Sequence, residues 1–343
     1  MRWSTLLEGI EALEDARFDR DLVDFFEANK AETLARPIRF STPTFKSYAT
    51  EGVKGCSKNS FPAFSITGAA CALDCEHCQA KILEPMISAT APEILDAKVR
   101  ELIQSQNLQG FLLSGGSNRR NEIKYERYYP VIERLKHDFP SLRIAIHSAL
   151  LDVPRARLME SAGVDTAMMD VIGAQETIKG VYHLDRPVAD FENTLAALCS
   201  TSMKVVPHIV IGLHFGQILG EPAALDICAA HPIDSLVLVV IMPFYARGHF
   251  VTPNPDDVGR IFAEARTRLP TQSVLLGCAR PAGMHRRAVD AYAVMSGLDG
   301  IAFPAEGTLE VCRSIGRTHH QEHACCSIKL GGTSLRQQAM CAG

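Results

Sequence analysis

The 343-residue chain has no apolar run able to cross a bilayer: the longest, Leu236 to Met242, falls far short of the roughly 20 residues required. It has no basic run and no excess of positive charge. Its 35 Lys and Arg against 39 Asp and Glu give a net charge of −4, so neither nucleic acid nor a membrane surface is an expected partner. The N-terminal segment carries acids throughout and lacks the unbroken apolar stretch and cleavage site of a signal peptide, so the expected location is cytoplasmic. Nor is the chain short of apolar residues. At 47% hydrophobic and 22% charged it is not a disordered polymer and fits a globular protein with a large core.

Cysteine, in contrast, is abundant. Eleven is an odd number, and a chain of this length needs no disulfide staples. In a reducing compartment the count points to metal or redox chemistry beside ordinary buried thiols.

After residue 60, short apolar or β-branched runs alternate with longer amphipathic segments, the pattern of repeated βα units. The runs are 61–67, 110–113, 142–147, 164–170, 204–211, 233–242, 272–277 and 298–303. Helices are expected near 90–106, 121–138, 154–162, 187–200, 220–230, 254–268, 283–296 and 306–315. Ser161-Ala-Gly163-Val-Asp165 and Ser296-Gly297-Leu-Asp299-Gly300 look alike, each placing glycine where a helix ends and a strand begins. Eight strand–helix pairs match an α/β protein of the (β/α)8 TIM-type barrel class, complete or nearly so, with chemistry at the C-terminal ends of the strands. An open doubly wound sheet is the alternative. Residues 1–60 read as an N-terminal helical extension capping the barrel, 61–316 as the barrel, and 317–343 as a Cys-rich C-terminal tail.

The strongest motif is Cys71-Ala-Leu-Asp-Cys75-Glu-His-Cys78, a C-x3-C-x2-C run directly after the first strand. Three thiolates on one loop can wrap three corners of a cubane iron–sulfur cluster and leave the fourth iron open to a small molecule. Structural zinc wants four ligands, and no second C-x2-C or C/H pair follows at finger spacing. His77, one residue before Cys78, is expected to point away from the cluster, in packing or against a cofactor.

This pattern resembles the radical S-adenosylmethionine (SAM) enzymes, whose signature is C-x3-C-x2-C after the first barrel strand with an aromatic-type residue before the last cysteine. The resemblance extends over about residues 60–310. It implies a [4Fe-4S] cluster on Cys71, Cys75 and Cys78 whose open iron chelates the methionine part of SAM. One electron then breaks the carbon–sulfur bond, and the resulting 5′-deoxyadenosyl radical abstracts hydrogen from substrate. The resemblance further implies cofactor contacts at Ser114-Gly115-Gly116-Ser117, where Ser117 replaces the family's usual acid. It implies others at His147 and Ser148, at Asp170, at Gly212 in Ile209-Val-Ile-Gly-Leu-His-Phe-Gly216, and at Met242, which with Pro243 and Phe244 would wall the base.

Cys56, Cys278, Cys325 and Cys326 form a second set, which can converge over the mouth of a barrel and hold an auxiliary cluster. Cys199, Cys228 and Cys312 continue apolar helical stripes and read as core. Cys341 reads as a bystander. His319, His320 and His323 are either a local metal site with the paired cysteines or a solvated tail, and Ser327 is an oxygen donor beside the pair. The run Gly277-Cys-Ala-Arg280-Pro-Ala-Gly-Met-His-Arg286 with Asp290, together with Cys325-Cys326-Ser327, resembles a group near biotin synthase that includes two-subunit lipoyl synthases.

That narrower resemblance implies sulfur insertion into an octanoyl chain on a lipoyl carrier protein or domain, with the auxiliary cluster as sulfur donor. The implied partners are a related radical SAM subunit and an electron donor such as ferredoxin or flavodoxin. Arg280 and Arg286 are expected either to orient an anionic group or to sit in salt bridges. The alternatives are a biotin-synthase-like enzyme acting on a free small molecule, and a non-catalytic iron–sulfur electron-transfer subunit.

Overall fold

The structure, a computed structural model, describes residues 2–42, 49–50, 53–54, 61–106, 108–322, 325 and 327–328. Helices α1 (Trp3–Glu8), α2 (Arg20–Ala28) and α3 (Lys30–Leu34) lead into strand β1 (Ile38–Ser41), and β2 (Ala49–Thr50) pairs with β3 (Val53–Lys54) in a small hairpin. Next come β4 (Ala63–Ser65), β5 (Ile87–Ser88), α4 (Pro92–Gln106), β6 (Gly110–Ser114), α5 (Tyr129–Asp138), β7 (Arg143–His147) and α6 (Val153–Ser161). They are followed by β8 (Thr166–Asp170), α7 (Gln175–Gly180), α8 (Val188–Cys199), β9 (Lys204–Ile211), α9 (Glu221–Ala229), β10 (Ser235–Val240) and α10 (Pro255–Arg268). The chain continues through β11 (Ser273–Leu276), α11 (Met284–Met295), β12 (Gly300–Ala302), α12 (Thr308–Ile315) and β13 (His319–Glu322).

Each of the eight expected runs contains a strand, and they neighbour one another in chain order. They belong to one 11-stranded sheet, β13-β1-β12-β11-β10-β9-β8-β7-β6-β4-β5. Every pairing in it is parallel. The sheet curls into a half-barrel, and among the described residues no pairing joins β13 to β5. The expected α/β barrel, complete or nearly so, is thus a curled parallel sheet of eleven strands that stays open among the described residues. The reason lies at β12, whose free edge is taken by β1 in the register Arg39↔Gly300 to Ser41↔Ala302, so β4 has no edge there to pair with.

The two faces of the sheet divide by strand alternation. Ile144, Ala167, Val205, Leu236, Val274 and Ile301 pack with the helices in the larger core. Their neighbours Ala145, Met168, Val206, Val237, Leu275 and Ala302 gather with Phe61, Phe303 and Ile328 in a second cluster on the concave side. The core strands are thus buried on both faces, which is why they read as near-continuous apolar runs.

The two look-alike stretches are a true structural repeat. Gly163 and Gly297 both sit in the left-handed region, at φ +90° and +79°. The following Asp165 and Asp299 each accept the backbone N–H of the preceding strand, from Ile144 and Val274, both at 2.8 Å. Asp234 does the same for Val205 at 2.9 Å. These carboxylates bind the N-terminal edge of the sheet, leaving the opposite edge to the loops.

The N-terminal helices lie along the outer layer beside α10, α11 and α12. Arg287 donates to the Ala12 carbonyl at 2.9 Å, the Asp19 N–H donates to the Tyr292 hydroxyl at 2.8 Å, and the Thr33 hydroxyl donates to the Met295 carbonyl at 3.2 Å. Asn29 ends α2 and starts α3. In the C-terminal tail, His319 and His320 belong to β13, paired with Ile38 and Arg39 of β1.

Candidate active site

Strand β4 ends at Ser65, and the loop that follows carries Cys71, Cys75 and Cys78 at the C-terminal edge of the sheet. Three of its non-glycine residues, Asp74, Gln79 and Ala80, take positive φ of 47°, 49° and 60°. Such conformations cost free energy and cluster where a loop must wrap something. The adjacent β6 loop holds it in place. The Ser117 carbonyl accepts the Ala72 N–H at 2.9 Å and the Cys71 thiol at 3.7 Å, and the Gly116 N–H donates to the Thr67 hydroxyl at 2.7 Å. A Cβ at Gly116 would lie 2.0 Å from the Ala70 oxygen and 2.6 Å from the Cys71 Cα. Gly116 is therefore glycine because two backbones meet there, and Ser117 acts on the cysteine loop through its carbonyl.

The thiols influence one another. Hydrogen bonding to Cys75, helped by the His77 imidazole, pulls the Cys78 thiol down to about 4. The same hydrogen bond, then burial, pushes Cys75 well above the usual thiol range, and Cys71 adds to the repulsion. Among the described residues no group of three or more Cys, His, Asp or Glu surrounds one point as a single ion would require. Thiolates that each hold a different iron of a cubane need no common point, so this donor set fits a cluster.

Two more loops clasp the cysteine loop. The Glu76 N–H donates to the Val181 carbonyl at 2.9 Å, and the Glu76 carboxylate meets His183 Nε2 at 2.8 Å. From the loop after β10, the Arg247 guanidinium donates to both Asp74 carboxylate oxygens at 2.9 Å, and the Tyr245 carbonyl accepts from Gln79 at 3.0 Å. Tyr182, between Val181 and His183, lays its ring 5.0 Å from that of His77. The position before the last cysteine thus forms part of a two-ring stack.

Inside the curl, the concave apolar cluster gives way to polar groups one step nearer the loops. His147, Asp170 and His208 lie two residues beyond Ala145, Met168 and Val206 and so face the same interior. His147 Nε2 is 3.6 Å from Asp170 Oδ1, and the His147 and His208 rings are 5.5 Å apart. Burial works against both charges of the His147–Asp170 pair, but their mutual attraction outweighs it, holding His147 above and Asp170 below their ordinary values. Burial and repulsion from His147 push His208 down to about 4.

No protein-family model matches the sequence, and no curated protein matches it. Solved structures do. HydG, a maturase of the [FeFe]-hydrogenase, superposes with a TM-score of 0.59 at 14% identity over 99% of this chain and 75% of its own. Methylornithine synthase (PylB) gives 0.56 at 11% identity over 93% and 97%. HydG from Carboxydothermus hydrogenoformans gives 0.54 at 15% identity over 87% and 66%. The chain shares the fold of these enzymes.

On this fold the remaining expected residues divide. Ser114, at the end of β6, is buried beside the cysteine loop, and its carbonyl accepts the Ile66 N–H at 2.9 Å. The Ser148 hydroxyl faces the Met168 carbonyl at 3.3 Å and so ties two strands together. Gly115 lies where a Cβ would meet Ile66 at 2.8 Å. Gly212 has φ +78°, and its N–H donates to the buried Glu221 carboxylate at 2.6 Å. Met242 is half-buried past the end of β10, while Phe244 stands 87% exposed and does not wall an interior site. Arg280 has a structural role. It chelates Asp290 at 2.7 and 2.9 Å and donates to the Gly277, Ala302 and Phe303 carbonyls, all of it buried, so no group is left to orient an anion. Arg286 donates to the Phe303 carbonyl at 2.7 Å.

Of the second cysteine set, Cys278 and Cys325 both pack against the concave apolar cluster, one from the end of β11 and the other from beyond β13. Ser327 is buried nearby in sequence. Cys56, Cys326, His323 and Cys341 lie outside the described residues. Cys199, Cys228 and Cys312 belong to or pack on the main core, as expected. Sequence reasoning missed Tyr182, His208, Glu76 and Arg247. For His208 the signal was present, as a polar residue at an inward position in Lys204-Val-Val-Pro-His-Ile-Val-Ile211.

Proposed function

We propose that the chain is a radical SAM enzyme that holds a [4Fe-4S] cluster on Cys71, Cys75 and Cys78. We further propose that it inserts sulfur into an octanoyl chain on a carrier protein, as one of two cooperating lipoyl synthase subunits. The observation that carries the reading is the C-x3-C-x2-C loop, wrapped by left-handed residues and clasped from three sides at the C-terminal edge of a radical SAM fold. When bound, the cluster supplies the electron that cleaves SAM and so gives a radical able to take hydrogen from an unactivated carbon.

The chain's own residues supply position and shielding. Gly116 and Ser117 set the height of the loop, Arg247 and His183 hold its outer side, and His147 with Asp170 presents a charged pair inside the curl. Sulfur insertion is supported by Cys278 and Cys325 packing against one interior cluster from two distant parts of the chain. With Cys56 and Cys326 they would hold the sulfide-donating auxiliary cluster. The partners in this reading are the octanoylated carrier, the second subunit and a ferredoxin or flavodoxin. In the described residues no helix is long and apolar enough to cross a membrane.

The test is anaerobic reconstitution with iron and sulfide, then SAM, reductant, partner subunit and octanoylated carrier. Two clusters per chain, 5′-deoxyadenosine, and a carrier peptide that gains sulfur are the expected results. One cluster per chain with an unchanged carrier overturns sulfur insertion. The inward His147, Asp170 and His208 favour a second reading, a free polar metabolite as substrate; it predicts deoxyadenosine formation stimulated by that metabolite without carrier. If SAM is not cleaved under strong reductant, the chain is an electron-transfer subunit instead.

A further inference from the structure

Tyr182 is 5% exposed, and its hydroxyl has no hydrogen-bond partner among the described residues. Leaving a buried hydroxyl unpaired costs on the order of 1–3 kcal/mol, so its placement calls for an acceptor. The ring is fixed from both sides. It stacks at 5.0 Å and 31° against His77, the neighbour of Cys78, while the adjacent Val181 carbonyl accepts the Glu76 N–H at 2.9 Å. His183, next in the chain, takes φ 55° and reaches Glu76 at 2.8 Å. Tyr182 is thus tied at both of its chain neighbours to the residue directly after Cys75. The groups that bear on its hydroxyl are the Asp170 carboxylate and then the Cys75 and Cys78 sulfurs. Of these, Asp170 turns Oδ1 toward His147, 3.6 Å away, whereas Cys78 adjoins His77, on which the Tyr182 ring stacks.

Resting on the cluster assignment above, we infer that the Tyr182 hydroxyl donates a hydrogen bond to sulfur at the Cys75–Cys78 edge of the [4Fe-4S] cluster and raises its reduction potential. A hydrogen bond to cluster sulfur stabilises the more negative, reduced form, so donors there move the couple upward. The residue is a positioning and tuning group, and it exchanges no electron itself.

The full-length chain, reconstituted anaerobically, is compared with Tyr182→Phe in the absence of SAM. The readouts are iron and sulfide content, the midpoint of the one-electron couple by dithionite titration followed by electron paramagnetic resonance, and the hydrogen–deuterium difference in the ENDOR spectrum of the reduced cluster. The expected result is equal iron, a more negative midpoint in the variant, and an exchangeable hydrogen coupled to the wild-type cluster that the variant lacks. An unchanged midpoint with identical ENDOR overturns the inference and leaves the cluster assignment standing. If the variant loads iron poorly, the wild-type spectrum alone decides, since absence of a coupled exchangeable hydrogen overturns the inference. If wild type binds no four-iron cluster at all, the assignment fails and the inference with it.

Discussion

His147 Nε2 stands 3.6 Å from Asp170 Oδ1, each at the last residue of its strand, on neighbours β7 and β8. Their attraction holds His147 above and Asp170 below their ordinary values, while burial and then the His147 charge push the nearby His208 down to about 4.

That arrangement sets a pH dependence. An unfolded His208 takes up a proton near its ordinary value of 6.5, whereas the folded one does so only near 4, so stability falls as pH drops through that window. His147 has the opposite sign. Its raised value contributes stability that is complete below 6.5 and lost as pH rises through the folded value. Urea midpoints measured from about pH 4 to 8 should show the acid-side decline, and His208→Gln should flatten it. An unchanged acid limb in the variant would show that His208 does not titrate in this way.

Arg280 and Asp290 are both fully buried, with side-chain exposures of 0%. Removing the guanidinium strands a carboxylate in the core, so Arg280→Met should lose about 3–5 kcal/mol of stability. Denaturant titration checks this. A loss confined to cofactor binding, with stability intact, would return Arg280 to an anion-binding role.

Gly116→Ala tests the contact between the β6 loop and the cysteine loop. With 2.0 Å to the Ala70 oxygen, the added methyl must displace the segment carrying Cys71. Iron content after reconstitution should fall toward that of Cys75→Ala, while the far-UV circular dichroism of the sheet is retained. Full iron loading would mean that the loop is not set by this contact.

Arg247→Ala removes both hydrogen bonds to Asp74 and the 3.8 Å approach to Glu76. The pair is exposed and screened by solvent, so stability should be nearly unchanged. The reconstituted cluster should nevertheless bleach faster in air, because one of the straps over the loop is gone. Equal bleaching rates would reduce Arg247 to a surface ion pair.

The strand pattern was legible because parallel strands buried on both faces need runs such as Lys204–Ile211 and Ser235–Val240, which no solvent-facing segment would carry. β1 and β13 were not legible. Ile38–Ser41 has only four residues after a proline, and at the far edge His319-His-Gln-Glu322 has no apolar residue to announce a strand. Tyr182 was hidden for a related reason, since it follows α7, a helix of six residues and too short to show a period.

By itself the sequence determined the succession of βα units and the three cysteines of one loop, because both are local: hydrophobic period and ligand spacing are written along the chain. Only the tertiary structure decided that β1 closes off the edge of β12 and leaves the sheet open. It also decided that Arg280 has a structural role, that Cys278 and Cys325 face one interior, and that Tyr182 stands over the cysteine loop. Each of these relations joins residues far apart in the chain, where pairing depends on which edge is free and which buried group still needs a partner.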